Sequence, residues 1–403
     1  MNYCKKCVYP QSAVNLIIEE DGICTSCKTF MAFNKISENF WKQRKQKMIE
    51  IFKDLNKNKN SNYDCLIPVS GGKDSYFQTH TIVKDLGLKP LLMTYHGNNY
   101  LPEGDYNRDM MRKKFNADHI VWGPSVEVLK KLNRIGFRKM GDMNWHAHCG
   151  IFTSPISIAV KFNIPIIVWG ETDWDVSGMF DPDDYIEFSA RMRHEHGLRG
   201  FEWYDFIDDP KEKIDEKDMM WAKYPSDEEI IKCGIRGIYL GNFVKWDPYS
   251  HTKLMKELYG WKESEKPFER TYRIMSNLDD RYENGVHDLM KFVKFGYGRC
   301  SDHASKDVRT NYLTREEGIK LVLKYDHVIS KDLFHWLDYV EMSEDEFWNI
   351  ADTFRDPRVW SIENNSWQKT DIDGAVRSYG LVALNDDQKR QFFKKKKELS
   401  QKL

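Results

Sequence analysis

The chain has 403 residues, 41% hydrophobic and 31% charged, with 61 basic and 62 acidic side chains for a formal net charge of −1. This length makes two to three domains with ample core, the composition is that of a soluble globular protein, and the balanced charge argues against extensive nucleic-acid binding, which relies on neutralising phosphates with Lys and Arg. No apolar run approaches the roughly 20 residues that span a bilayer and no signal-peptide core follows Met1, so the expectation is a cytoplasmic protein whose cysteines are thiols or metal ligands rather than disulfides.

Two Cys-x-x-Cys pairs come first, Cys4 with Cys7 and Cys24 with Cys27. Each pair makes a tight turn with two thiolates on one side, and two such turns close a tetrahedron. Cys4, Cys7, Cys24 and Cys27 are therefore read as a structural Zn2+ site, with redox pairs or an iron–sulfur site as the alternatives. Residues 1–30 form this zinc ribbon, and residues 31–62 are a helical linker. Ile36, Phe40, Met48, Ile49 and Phe52 recur at rough helical spacing between Phe30 and Lys59, and the polar run Asn56–Asn62 follows.

The apolar run from Tyr63 to Val69 reads as a buried strand. Ser70-Gly71-Gly72-Lys73-Asp74-Ser75 breaks it, and Tyr76–Val83 reads as a helix. A strand, a glycine turn and a helix N-terminus converge free N–H groups on an anion. Gly71 and Gly72 let the backbone approach a phosphate, Ser70 and Ser75 add hydroxyls, Lys73 adds positive charge, and Asp74 is placed to hold Mg2+. The spacing is not that of the Walker loop, which has four residues between its first Gly and the Gly-Lys pair.

Lys89–Tyr95, Ala117–Trp122 and Ile164–Trp169 read as further strands, with helices over Tyr106–Phe115, Val126–Phe137 and Ser154–Phe162. The alternation predicts an α/β fold with a doubly wound parallel sheet over residues 63–245, interrupted by an insertion at about 175–220. Strand ends face the ligand crevice in such folds. Thr94 and Tyr95, with His96, are candidates to line an adenosine pocket or are ordinary strand-end residues. Glu171, directly after Trp169-Gly170, is placed to hold Mg2+ or orient a nucleophile; Asp173 is second choice and a plain turn is the alternative. His146, His148 and Cys149 read as a metal cluster, an activated thiolate, or the start of a helix with an inert buried cysteine.

Residues 246–403 read as mostly helical, with capping patterns at Thr314/Glu317 and Ser343/Glu346. Tyr249 lies in a polar, aromatic stretch. Lys291, Lys294 and Arg299 sit among aromatics and glycines, a mix that suits pyrophosphate or a nucleotide sugar, or a solvated helix face ending at Gly296. The basic tail from Lys389 to Lys402 is a solvated helix end or a docking surface.

The Ser70–Ser75 hexapeptide after a strand resembles the PP-loop of ATP pyrophosphatases. Together with the paired Cys-x-x-Cys, Trp169-Gly170-Glu171, Asp247-Pro248-Tyr249 and the run Lys291–Arg299, it makes the chain similar to the N-acetyl sugar amidotransferases of bacterial surface-polysaccharide and flagellin-glycan biosynthesis. Lipopolysaccharide O-antigen and pseudaminic acid-type enzymes belong to that group. The resemblance implies that ATP adenylates a sugar acetamido oxygen and that ammonia then displaces AMP to leave an acetamidino group. It implies catalytic roles for Lys73, Asp74 and Glu171, ATP contacts from Ser70–Ser75, Thr94 and Tyr95, and sugar contacts from Tyr249, Lys291, Lys294 and Arg299. It also implies ATP, Mg2+ and Zn2+, and ammonia from a separate glutaminase through a channelling subunit. A PP-loop tRNA thiolase with an N-terminal zinc ribbon is the alternative; near-zero net charge and the lack of a further Cys-x-x-Cys pair among Cys65, Cys149, Cys233 and Cys300 weigh against it. A non-catalytic nucleotide sensor is a third reading.

Overall fold

Five short apolar runs become one parallel sheet: β1 (Cys65–Pro68), β2 (Pro90–Tyr95), β3 (Asp118–Trp122), β4 (Ile166–Trp169) and β5 (Arg236–Tyr239), in the order β3-β2-β1-β4-β5. This is a computed structural model, and it describes residues 2–57, 61–170 and 187–401. Leu66 stands between Leu91 and Ile167 in the central register. The central strands are apolar throughout because helices cover both sheet faces. On one face Ile67, Leu92 and Val168 pack with Tyr76, Met111 and Phe115; on the other Leu66, Leu91 and Ile167 meet Ile156 and Ala159. The strand order reverses at β1, between β2 and β4, so a crevice opens outside the carboxyl end of β1.

The N-terminal module is followed by two helices, Thr25–Phe33 and Glu38–Asn56, where the periodicity suggests one. The break has a local cause: Ser37 caps the second helix by accepting from the Phe40 amide at 3.2 Å. The module docks on the C-terminal region. Tyr297 and Val308 join the core around the four cysteines, Ser12 donates to the Phe295 carbonyl at 2.7 Å, and Arg315 donates to the carbonyls of Cys4 and Cys7, both at 3.1 Å.

The C-terminal region carries helices Glu283–Phe295, Arg299–Arg309, Arg315–Tyr325, Lys331–Val340, Glu344–Ala351 and Asp386–Ser400. Thr314 and Glu317 form the expected capping box, and Ser343 caps through the Glu346 amide. Two features go beyond the sequence reading. A three-stranded antiparallel sheet, β6 (Ser361–Glu363), β7 (Ser366–Thr370) and β8 (Val376–Leu381), sits among the helices. The cores also cross the expected boundaries. Met255, Tyr259, Trp261, Met275 and Leu278 pack with the β1 core, while Phe137 and Met143 join Leu289, Trp336 and Phe347 in the C-terminal core. Among the described residues, no helix is long and apolar enough to cross a membrane.

Candidate active site

The loop after β1 begins at Val69, whose amide still pairs with the Met93 carbonyl. Gly71 has φ +85°, and a Cβ there would lie 2.6 Å from the backbone nitrogen of Arg108, so the turn demands glycine on both counts. Gly72 caps the helix Lys73–His80 from an extended conformation. The Ser70 amide donates to the Ser75 hydroxyl at 3.0 Å, and the Gly72 amide donates to the Ser70 hydroxyl at 3.3 Å. Trp261 holds the loop from outside, its indole N–H donating to the Gly71 carbonyl at 3.0 Å. Lys73 Nζ donates to Asp74 Oδ2 at 2.5 Å. Asp74 Oδ1 is buried with no hydrogen-bond partner among the described residues. A buried carboxylate oxygen left over in this way fits a cation, since an unpaired buried acceptor is otherwise costly.

A second wall comes from far along the chain. The Leu278 carbonyl accepts from the Leu101 amide at 3.1 Å and fills the space where a Gly104 side chain would begin; the Arg281 amide donates to the Asn99 carbonyl at 2.6 Å. Between these clamps sits Asp279, whose carboxyl feels Lys73, Arg299 and Ser70. Burial pushes its carboxyl up, and those partners oppose the shift. Asp280 Oδ1 accepts from the amides of Tyr282 and Glu283 at 2.9 and 2.7 Å. Burial, and then the Glu283 charge, push Asp280 well above the usual carboxylate range. Glu283 and His146 are both fully buried, with His146 Nε2 2.9 Å from each Glu283 oxygen. The other ring nitrogen of His146 lies 3.1 Å from the Tyr95 hydroxyl, and Asn133 donates to Glu283 at 3.0 Å. Asp279, Asp280 and Glu283 escape sequence reasoning because no motif marks them; an acidic pair just ahead of a helix is the one available signal.

The structure places the remaining candidates as follows. Thr94 donates to the Val69 carbonyl at 2.6 Å and lies 2.8 Å from His119 Nε2. Tyr249 donates to Asp307 at 2.7 Å, on a carboxylate that also takes Tyr272 and Arg273. Lys291 donates to Asp302 at 2.5 Å, and Arg299 Nε donates to Asp288 at 2.9 Å. Lys294 donates instead to the Met140 carbonyl at 2.7 Å, and burial pushes its ammonium down to about 7. Arg299 and Lys294 thus turn to different partners, Asp288 and the Met140 carbonyl. His146, His148 and Cys149 open the helix Trp145–Phe162. Cys149 is buried, and burial pushes its thiol up to about 12, as suits a thiol without nucleophilic character. His148 stands beside His287, and burial pushes it down to about 4. Glu171 and Asp173 lie outside the described residues.

The four N-terminal cysteines are buried, and their sulfurs all lie within 4.8 Å of one another. Cys4 and Cys27 are 3.9 Å apart and Cys7 and Cys24 3.7 Å. A tetrahedron with metal–sulfur bonds of about 2.3 Å has an edge of about 3.8 Å, so the donor set fits a metal. The amides of Lys6 and Cys24 point at Cys4 Sγ at 3.4 and 3.3 Å, as suits a thiolate. The chemistry of the set suits zinc or iron–sulfur.

With this geometry in hand, comparison with known proteins places one part of the chain. Residues 268–372 match the family described as "LPS biosynthesis protein WbpG-like, C-terminal domain". That segment is similar to the C-terminal domain of WbpG-like proteins. It carries Asp279, Asp280, Glu283 and Arg299, the second wall of the crevice, and the match agrees with the surface-polysaccharide resemblance of the motifs. No curated protein matches the chain. Among solved structures, an NH3-dependent NAD synthetase from Campylobacter jejuni is similar at 12% identity, covering 34% of this chain and 58% of its own, with a TM-score of 0.28. An NMN synthetase from Francisella tularensis has 12% identity, 54% and 95% coverage and a TM-score of 0.28. The U34-tRNA thiolase NcsA from Methanococcus maripaludis, with its [4Fe-4S] cluster, has 12% identity, 77% and 87% coverage and a TM-score of 0.30. Likenesses this low carry no argument about activity.

Proposed function

We propose that the protein is an ATP-dependent amidotransferase of bacterial surface-glycan biosynthesis. It adenylates the acetamido oxygen of an N-acetylated sugar, and ammonia-derived nitrogen then replaces that oxygen to give an acetamidino group, with release of AMP and pyrophosphate. The observation that carries this reading is the meeting of two parts: the segment similar to the WbpG-like domain ties its Leu278 carbonyl to the Leu101 amide and its Arg281 amide to the Asn99 carbonyl, and Leu278 packs in one core with Val69 and Tyr76, which flank the glycine loop. A phosphate-binding loop and a domain of lipopolysaccharide-biosynthesis type therefore share one crevice.

The chemistry needs both parts. An amide carbonyl is a poor electrophile, and AMP on its oxygen makes that oxygen a good leaving group. The loop amides and Lys73 stabilise the charge on departing pyrophosphate. Asp74 would hold Mg2+, which neutralises phosphate charge when bound. Glu171, following β4, is the proposed acceptor of the proton that attacking ammonia must lose. Thr94 and Tyr95 stand at the end of β2 toward the adenosine, and Tyr249, Lys291, Lys294 and Arg299 are the proposed sugar contacts. Tyr95 acts through His146 and Glu283, and Lys294 from its contact with Met140. The four cysteines would hold structural Zn2+: the 3.7 and 3.9 Å sulfur pairs match the edge of a mononuclear tetrahedron. Ammonia comes from a separate glutaminase and channelling subunit, and the reaction is cytoplasmic.

Protein, Mg2+-ATP and an ammonium salt incubated with di-acetamido nucleotide sugars and nonulosonic acids should yield AMP, pyrophosphate and one sugar in which an amide oxygen has become NH, read by mass spectrometry. ATP cleavage that appears only with tRNA and a sulfur donor would replace this reading with the thiolase one.

A further inference from the structure

We propose that the four-cysteine module is a working part of the sugar site: it grips both groups that hold Lys291, and Tyr9 is a positioning residue for that lysine. This rests on the reading of Lys291 as a sugar contact. The contacts run in an unbroken line. Lys291 Nζ donates to Asp302 Oδ2 at 2.5 Å and lies 4.6 Å from the centre of the Tyr297 ring. The other oxygen of that carboxylate, Oδ1, accepts from the Tyr9 hydroxyl at 3.0 Å. The Tyr297 hydroxyl accepts from the Val14 amide at 3.2 Å, and the Tyr9 and Tyr297 rings meet edge to face with centres 6.0 Å apart. Each partner of Lys291 is therefore held by a residue lying between the first and second cysteine pairs.

A lysine is a point charge on a flexible stem, and fixing it costs rotamer entropy. A carboxylate and an aromatic face direct it only when they are fixed themselves. Tyr9 is buried and Asp302 nearly so, while the Lys291 side chain keeps 21% of its exposure, held yet reachable. The module has other anchors. Ser12 donates to the Phe295 carbonyl one turn beyond Lys291, and Arg315 donates to the carbonyls of Cys4 and Cys7. Loss of the Tyr9 hydroxyl alone leaves those anchors and the ring packing in place. A tyrosine that served only the core would be as good as a phenylalanine; one that aims Asp302 would not.

The test uses the full chain and Tyr9→Phe. The first readout needs no substrate: acetylation of Lys291 by acetic anhydride, followed by peptide mass spectrometry. An ion pair favours the protonated amine, which does not react. Freeing Asp302 should raise the rate about three- to tenfold, the range of one hydrogen bond, with about one zinc still bound per chain. Should Tyr9→Phe not fold, stripping the metal from wild type with a chelator loosens the same two grips, and Lys291 labelling should rise there. The second readout is the KM of whichever sugar in the panel is modified. It should rise about three- to tenfold in Tyr9→Phe with kcat and ATP affinity unchanged, and Tyr9→Phe should add nothing to the effect of Lys291→Met. Unchanged labelling or unchanged KM would overturn the proposal, and so would additive effects of the two substitutions, which would assign Tyr9 to stability alone. Raised labelling in a protein that modifies no sugar would overturn the amidotransferase reading and leave the coupling of Tyr9 to Lys291 standing.

Discussion

The four-cysteine module and the glycine loop are both short motifs on tight turns, yet they differ in how much of their site they contain. All four sulfurs come from residues 4–27 and converge without help from elsewhere. The glycine loop supplies Ser70, Lys73 and Asp74, but Trp261 and the clamped segment Leu278–Arg281 complete its surroundings. A metal site needs a fixed number of ligands at fixed distances, which one local hairpin can provide. A site for a phosphate and a second substrate needs two walls, and two walls need two parts of the chain.

Substitutions can break or sharpen that contrast. Cys24→Ser should have the largest effect, losing the metal and about 3 kcal/mol or more of stability, because binding energy of a structural metal is folding energy. Metal analysis should find about one zinc per wild-type chain, and urea unfolding should show the loss. If the module is self-contained, the ATP affinity of the variant that remains folded should be unchanged.

Gly71→Ala should cost about 3 kcal/mol and abolish nucleotide binding, from a positive φ and a 2.6 Å approach to Arg108 together. Gly72→Ala is the control: its Cβ meets Ser70 Oγ at 3.3 Å with φ −66°, and it should cost no more than about 1 kcal/mol.

Lys294 tests which members of the basic run belong to the second wall. Its pKa falls from the ordinary 10.5 to about 7 through burial, then Arg199. Between those values the unfolded chain binds the extra proton, so stability should rise with pH from about 7 to about 10.5. Discounted for partial exposure, the rise is about 2 kcal/mol. Lys294→Met should remove the rise, and denaturant titrations at pH 7 and 9.5 would read it; a rise of the same size in the variant would assign it to another group. Arg299→Gln, in contrast, should raise the KM for the sugar.

Trp261→Phe should have the smallest effect, about 1 kcal/mol for one hydrogen bond. It should weaken ATP binding about fivefold, read by equilibrium titration. No change in affinity would mean that the loop stands alone, as the cysteine module does.

Much of this was legible in order of locality. The Cys-x-x-Cys pairs, the Ser70–Ser75 turn and the strand–helix alternation are contiguous patterns, and the structure shows each of them. The capping box at Thr314 and the N-cap at Ser343 were legible for the same reason. The β6–β8 sheet carries a local signal too: Asn364 and Asn365 form a two-residue turn with φ of 50° and 59°, the conformation that joins a tight hairpin. The separate partners of Lys294 and Arg299 have a geometric reason that the run Lys291–Arg299 does not display. Lys294 reaches the Met140 carbonyl, while Arg299 opens the next helix beside Asp288.

What the sequence alone determined is the local chemistry: four thiols able to close on a metal, and a turn that only glycine permits between a buried strand and a helix start. Periodicity and spacing encode such features because neighbours in the chain are neighbours in space. The tertiary structure decided the rest. It brought Leu278 to Leu101, sealed Glu283 against His146 across 137 positions, and seated the cysteine module on the C-terminal helices rather than on the sheet. Contacts of that range are set by how apolar faces bury one another, and no local pattern records which distant side chain arrives.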